Sequence, residues 1–186
     1  MRSRPGQREP VAERETPPLG PLLGAGVTLG IGLGGFFDGI VFHQLLQWHH
    51  MLTSHGDYPM DTVAGLQVNT TWDGIFHAAT WAATLVGLAL LWSASRKYDV
   101  SWSPVLIGAL LMGWGGFNLV EGIVDHHLLG LHHVRDDLGG PIEWDLGFLV
   151  WGAVFLAGGW ALVARGQRDR QAESEEHVAA RDSRPA

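Results

Sequence analysis

The chain has no cysteine. That absence excludes a disulfide framework, a thiolate metal site and CxxC redox chemistry. Methionine is scarce, four in 186 residues, and the four are not grouped into a thioether cluster. A copper(I) carrier is thereby disfavoured, and the ligands left for a transition metal are His and carboxylate, which suit iron, copper(II) or zinc. Basic residues are also few: 12 Lys and Arg against 19 Asp and Glu, a formal charge of −7. The Arg residues sit mainly in the two tails among acidic ones, so nothing points to nucleic acid as a partner. A cleavable leader is not expected, because the first apolar stretch begins only near Leu19, behind a Pro/Arg/Glu arm, and is too long for such a segment.

What is present is apolar sequence in four long runs: about Pro21 to Met51, Trp72 to Trp92, Pro104 to Leu131 and Ile142 to Val163. A helix needs roughly 20 apolar residues to cross a bilayer, and each run supplies them. The sequence therefore predicts an all-α, polytopic membrane protein with the lipid bilayer as its first partner. The domain reading is an arm over 1–18, a four-helix membrane domain over 19–165 and a tail over 166–186, the arm and tail expected to be disordered and cytoplasmic. Arg2, Arg4, Arg8, Arg14, Arg96, Lys97, Arg165, Arg168 and Arg170 flank one side of the runs, and Arg135 stands alone on the other. By the positive-inside rule both termini are expected to face the cytoplasm and the two His-rich ends to face out. Trp48, Trp72 and Trp144 fit an outer aromatic belt, and Trp92, Trp102 and Trp160 an inner one.

The first and third runs end in the same pattern. Asp38-Gly39-Ile40-Val41-Phe42-His43-Gln44-Leu45-Leu46-Gln47-Trp48-His49-His50 aligns without a gap on Glu121-Gly122-Ile123-Val124-Asp125-His126-His127-Leu128-Leu129-Gly130-Leu131-His132-His133, with eight of 13 positions identical. After each pattern come a loop and a helix opening with Trp-Asp, at Trp72-Asp73 and Trp144-Asp145. The expected fold is thus a four-transmembrane-helix bundle made of two tandem helical-hairpin repeats, about 20–95 and about 103–165, with a pseudo-twofold axis along the membrane normal. Gly26, Gly30 and Gly34 form a small-residue stripe, read as helix packing. The polar loop 52–70 is expected outside, over the repeated ends, and its sequon Asn69-Thr70-Thr71 abuts a membrane helix.

Nine of the ten histidines fall at that outer end, with Asp38, Asp73, Glu121, Asp125, Glu143 and Asp145. Carboxylates and imidazoles beside hydrocarbon are costly and call for a partner, of which a metal ion is the simplest. On a continuous α-helix His43 and His50 stand about 10 Å apart, and Asp38 and His49 roughly 16 Å, so an ion must draw ligands from several helices. Asp73 and His77, and Glu121 and Asp125, are four apart and share a face. The expected layers place Asp38 and Glu121 deepest; His43 and His126 next, with His77, Asp73 and Asp145 approaching; and His49, His50, His132 and His133 outermost. This resembles the architecture of di-metal carboxylate bundles, without their Glu-x-x-His spacing. His43, His126 and His77 are the foremost ligand candidates, with Asp38 and Glu121 ligating or orienting. Asp73, Asp125, His49, His50, His132 and His133 complete the set, while His55, His127 and His177 are expected to be exposed. Since His77, Asp125 and His127 match Leu149, Phe42 and Gln44, one asymmetric site or two inequivalent ones are expected. No catalytic residue is indicated. The function read from these residues is a metal-dependent membrane protein of redox chemistry, an oxidoreductase or a respiratory accessory. The alternatives are proton or metal-ion handling, and haem held by His43 and His126.

The strings Gly35-Phe36-Phe37-Asp38-Gly39-Ile40-Val41-Phe42-His43-Gln44, Gln47-Trp48-His49-His50 and Asn118-Leu119-Val120-Glu121-Gly122-Ile123-Val124-Asp125-His126-His127 resemble the bacterial membrane-protein family labelled domain of unknown function 2243, over about residues 20–165. The resemblance implies the four-helix membrane architecture, a bacterial inner-membrane location and respiratory or oxidase-assembly proteins as partners. It implies no particular activity.

Overall fold

The structure, a computed structural model, describes residues 19–98, 100 and 104–182. The arm 1–18 with its four Arg residues, and Trp102, lie outside them. Every regular element among the described residues is helical: α1 Leu19–Phe37, α2 Val63–Ser95, α3 Pro104–Glu121 and α4 Ile142–Asp182. α1 is prolonged by a π-helical segment, Asp38–Leu45, and α3 by another, Gly122–Leu128. With these extensions, four helices are long and apolar enough to cross a membrane: Leu19–Leu45, Val63–Ser95, Pro104–Leu128 and Ile142–His177.

Local chemistry explains the boundaries. The Thr62 side chain caps α2 by accepting the Gly65 N–H at 3.1 Å, and Pro104 opens α3, where its missing N–H costs nothing. α2 thus begins nine residues before Trp72, so 63–70 is helix rather than loop. Asn69 is buried there, accepting from Leu52 N–H (2.9 Å) and donating to the Tyr58 and Gly65 carbonyls (3.1 Å each). α4 likewise continues to Asp182, which corrects the expectation of disorder for 166–182. Charge density alone suggested disorder, but Ala, Gln, Glu and Arg are strong helix formers, and Arg165 and Asp169 pair loosely one turn apart at 3.9 Å.

The helices pack in the order α2, α1, α3, α4. α1 and α3 form the central seam, and α2 and α4 turn most of their surface outward. The seam is tight because glycines line it: a Cβ at Gly30 would collide with the Leu110 carbonyl, and one at Gly113 with the Val27 carbonyl. Gly26 and Gly34 meet Ala109 and Trp114 in the same way, so the small-residue stripe is an α1–α3 packing surface. This brings the ends of α1 and α3 side by side, and with them the two His-rich segments.

Candidate metal centre

In each segment the helix first loosens and then reverses. Bonds to the fifth residue back appear at Leu46 N–H to Val41 O and at Leu129 N–H to Val124 O, both 2.8 Å, the signature of π-helix, which is found often at functional sites. Gln47 (φ 51°) and Gly130 (φ 58°) then take up left-handed backbone and turn the chain back. Trp48 N–H reaches Phe42 O and Leu131 N–H reaches Asp125 O, at 2.9 Å each. His49 and His132 are thereby returned over the ends of their own helices. The separation of roughly 16 Å expected between Asp38 and His49 on a straight helix is corrected to 3.9 Å. Glu121 and His132, at the matching positions, also stand 3.9 Å apart.

Six side chains converge at the end of the α1–α3 seam: Asp38, His43, His49, Glu121, His126 and His132, none more than 4 % exposed. His43, His49 and His132 each offer a ligand atom within 4.8 Å of the others, as do Glu121, His126 and His132, and Asp38, His43 and Glu121. His43 Nε2 is 3.0 Å from Asp38 Oδ2 without hydrogen-bond alignment. Eight buried donor or acceptor atoms of the six have no hydrogen-bond partner: Asp38 Oδ2, His43 Nε2, His49 Nε2, both Glu121 oxygens, both His126 nitrogens and His132 Nε2. Buried polar atoms left unpaired cost on the order of 1–3 kcal/mol each, so this concentration is expensive as it stands.

The opposite ring nitrogens are held. His43 Nδ1–H donates to Asp73 Oδ1 (2.9 Å), His49 Nδ1–H to Val134 O (2.9 Å) and His132 Nδ1–H to Met51 O (3.3 Å). His126 Nδ1 faces Asp145 Oδ1 more loosely, at 3.5 Å. A backbone carbonyl can only accept, so His49 and His132 carry a proton on Nδ1, and each ring turns its Nε2 toward the centre. Burial, with His49, His126 and His43 adding repulsion, holds the His132 imidazole well below its ordinary range, in its neutral form. Asp73 also accepts from His50 Nδ1–H (2.5 Å) and Met51 N–H (3.0 Å); Asp145 accepts from His133 Nδ1–H (2.6 Å) and Val134 N–H (2.9 Å). Residues at matching positions thus make matching contacts around the two aspartates.

The loops that follow the two His-rich segments are laced together above the centre. Ser54 N–H donates to Leu131 O (3.0 Å) and Asp137 N–H to Trp48 O (3.1 Å). The Arg135 guanidinium lies over Trp48 (4.4 Å) and Trp144 (5.0 Å) and pairs with Asp137 at 2.7 Å. On the α4 side, Phe42, Trp48, Phe148 and Trp151 wall the centre with aromatic rings, Phe42 stacked on Trp48 at 5.1 Å.

The family model described as "Predicted membrane protein (DUF2243)" matches residues 25–166. The chain belongs to the DUF2243 family. Comparison with curated proteins and with solved structures finds no match. The matched span holds all six converging side chains of this DUF2243 protein and both aspartates that brace them.

Of the eleven candidate ligands, six lie in the cluster. His50, His133 and Asp73 stand one layer out, as supports, and Asp145 matches Asp73 in that role. His77 and Asp125 stay apart. The His77 ring packs against Gly39, and its Nδ1–H donates to the Asp73 backbone carbonyl at 2.7 Å rather than to the carboxylate. Asp125 is half-buried and belongs to none of the close ligand groups. His55, His127 and His177 are exposed, as expected. The residues that occur in only one copy of the pattern are thus not the ones that converge. Sequence reasoning missed the Met51 and Val134 carbonyls, although each follows a His-His pair directly. It also undervalued Asn118, buried one turn below Glu121 with its Nδ2 unpartnered.

Proposed function

We propose that this DUF2243 protein is a membrane metalloprotein of redox function, holding a first-row transition metal in the His/carboxylate cluster at the outer end of its helices. One observation carries the reading: buried, partnerless nitrogen and oxygen atoms converge while the far nitrogens of His43, His49 and His132 are anchored by hydrogen bonds. Metal-ligating histidines have this build, with a carboxylate or carbonyl fixing the tautomer and the ring orientation. The donor set, imidazole nitrogen and carboxylate oxygen without sulfur, suits iron first, then zinc and copper(II). When bound, iron or copper supplies a redox couple at the outer membrane face, whereas zinc, with a filled d shell, would not. His43, His49, His126 and His132 hold it; Asp38 and Glu121 neutralise its charge; Asp73, Asp145, Met51 and Val134 fix the rings; and the aromatic wall keeps water out.

Two observations set the alternatives lower. A transport path would have to continue inward, but below the cluster the α1–α3 seam is closed by glycine-to-backbone contacts at Gly30 and Gly113. A haem between His43 and His126 would need a slot that other side chains fill, since the His49 ring is 4.5 Å and the His132 ring 5.8 Å from that of His43. The charge pattern of the tails supports cytoplasmic termini and an inner membrane, and a site there faces respiratory-chain partners.

The test is elemental analysis of the full chain purified gently in detergent, beside the His43→Ala/His126→Ala variant, with size-exclusion profiles of both. Stoichiometric iron or copper in the wild type, lost in a variant that elutes unchanged, is the expected result; stoichiometric zinc overturns the redox function. Wild-type protein without metal, or a variant that keeps it in full, overturns the proposal.

A further inference from the structure

The ligands from matching positions form two sets of the same composition, and the close groups also cross between them, His43 and His49 gathering with His132, and Asp38 and His43 with Glu121. Asp38 Oδ2 lies 3.0 Å from His43 Nε2 and 3.9 Å from His49 Nε2. Glu121, His126 and His132 gather within 4.8 Å, with Glu121 Oε1 3.9 Å from His132 Nε2. Each set is two histidines and one carboxylate, drawn from matching positions of the 13-residue pattern. We propose that the centre is dinuclear, each ion held by one set, Asp38-His43-His49 or Glu121-His126-His132, with the two carboxylates between the ions. The inference rests on the metalloprotein reading above and adds the number of ions and their division of ligands.

Two arguments carry it. The first is valence. Each of the four imidazoles turns an unpartnered nitrogen toward the centre and can serve one ion there, so they can divide as two and two. Two histidines and one carboxylate form the open ligand set of non-haem iron sites. The second is spacing. Asp38 and Glu121 share a ligand group with His43, with atoms within 4.8 Å, and paired ions in two-metal sites lie about 3.5–4 Å apart; carboxylates this close can be shared.

The anchors divide in the same way. Asp73 braces the first set through His43 and Asp145 the second through His126, whereas His49 and His132 anchor across, on Val134 and Met51. Each set therefore depends on the other's loop, and loading of one ion orders the ligands of the other.

The test is a Co(II) titration of the chelator-stripped full chain in detergent, read by visible absorption, by Co(II) retained after desalting and by electron paramagnetic resonance. Expected are two Co(II) per chain, with the signal per ion falling as the second equivalent couples to the first. His49→Ala and His132→Ala should each retain one Co(II), uncoupled. One Co(II) per wild-type chain overturns the dinuclear assignment and leaves the single-metal reading standing; none overturns both. Two uncoupled ions, or variants that still hold two, overturn the division of ligands. The wild-type stoichiometry decides the matter even if either variant fails to fold.

Discussion

Replacing Asp73 by Asn tests how far the centre depends on its supports. The carboxylate takes no place among the converging atoms, yet it accepts four hydrogen bonds: from His43 Nδ1 (2.9 Å) and Met51 N (3.0 Å) on one oxygen, and from His50 Nδ1 (2.5 Å) and Gln44 Nε2 (3.3 Å) on the other. An amide keeps one acceptor and turns the other into a donor. Whichever way it flips, either the His43 pair or the His50 pair meets an N–H head-on, and the negative charge that makes these bonds strong is gone. A hydrogen bond to a charged group contributes about 1.5–3 kcal/mol. Part of the loss is recovered, because the amide keeps the pair it prefers and His50 retains some access to water. A net loss of about 1.4–2.8 kcal/mol corresponds to a ten- to hundredfold weaker hold on the metal. The assay is competition with a chromophoric chelator on purified protein in detergent, with Asp145→Asn as the parallel case. Affinity within twofold of wild type in a folded Asp73→Asn protein would refute the view that this carboxylate orients a metal-binding imidazole.

Other expectations follow from the same geometry. Gln47 holds φ 51° where its counterpart Gly130 holds 58°. Left-handed backbone costs a non-glycine residue roughly 1–2 kcal/mol, so Gln47→Gly should raise the thermal midpoint by about 2–8 °C and Gly130→Ala lower it; no change in either direction would remove the strain argument. Gly30→Ala drives a methyl into the Leu110 carbonyl and should destabilise the α1–α3 seam by about 1–3 kcal/mol, read as earlier thermal aggregation, while the outward-facing Gly24→Ala should be silent. His132, neutral in the folded protein, regains its ordinary value of 6.5 on unfolding. Between that value and its depressed folded one the unfolded chain binds more protons, so the metal-free protein should lose stability as pH falls below about 6.5. His132→Gln should flatten the midpoint-against-pH curve there, and an unchanged slope would argue that His132 is solvated.

The membrane helices were legible because the bilayer demands long apolar runs, and nothing in this chain imitates them. The His-rich end was legible because costly residues recur in register. The geometry of the centre was not. A straight-helix projection separates Asp38 from His49 by three turns, and only the π-helical loosening after Asp38 with the reversal at Gln47 brings them together. The one trace of that reversal in the sequence is Gly130 opposite Gln47. His77 was drawn toward the centre by its spacing from Asp73. The Asp73 carboxylate, however, is taken by His43 and His50, which leaves His77 only the backbone carbonyl. Asp125 was grouped with Glu121 by the same spacing rule, which assumes α-helix just where the helix widens. Asp145, by contrast, was readable from the two Trp-Asp openings and sits where that parallel indicates.

The most direct test of the central claim is X-ray absorption at the edge of whichever metal co-purifies with the full chain. The account predicts nitrogen and oxygen neighbours near 2.0–2.2 Å, outer-shell scattering from imidazole rings and no sulfur. A protein that carries no metal at any first-row edge, or one whose metal lacks imidazole scattering, would contradict it.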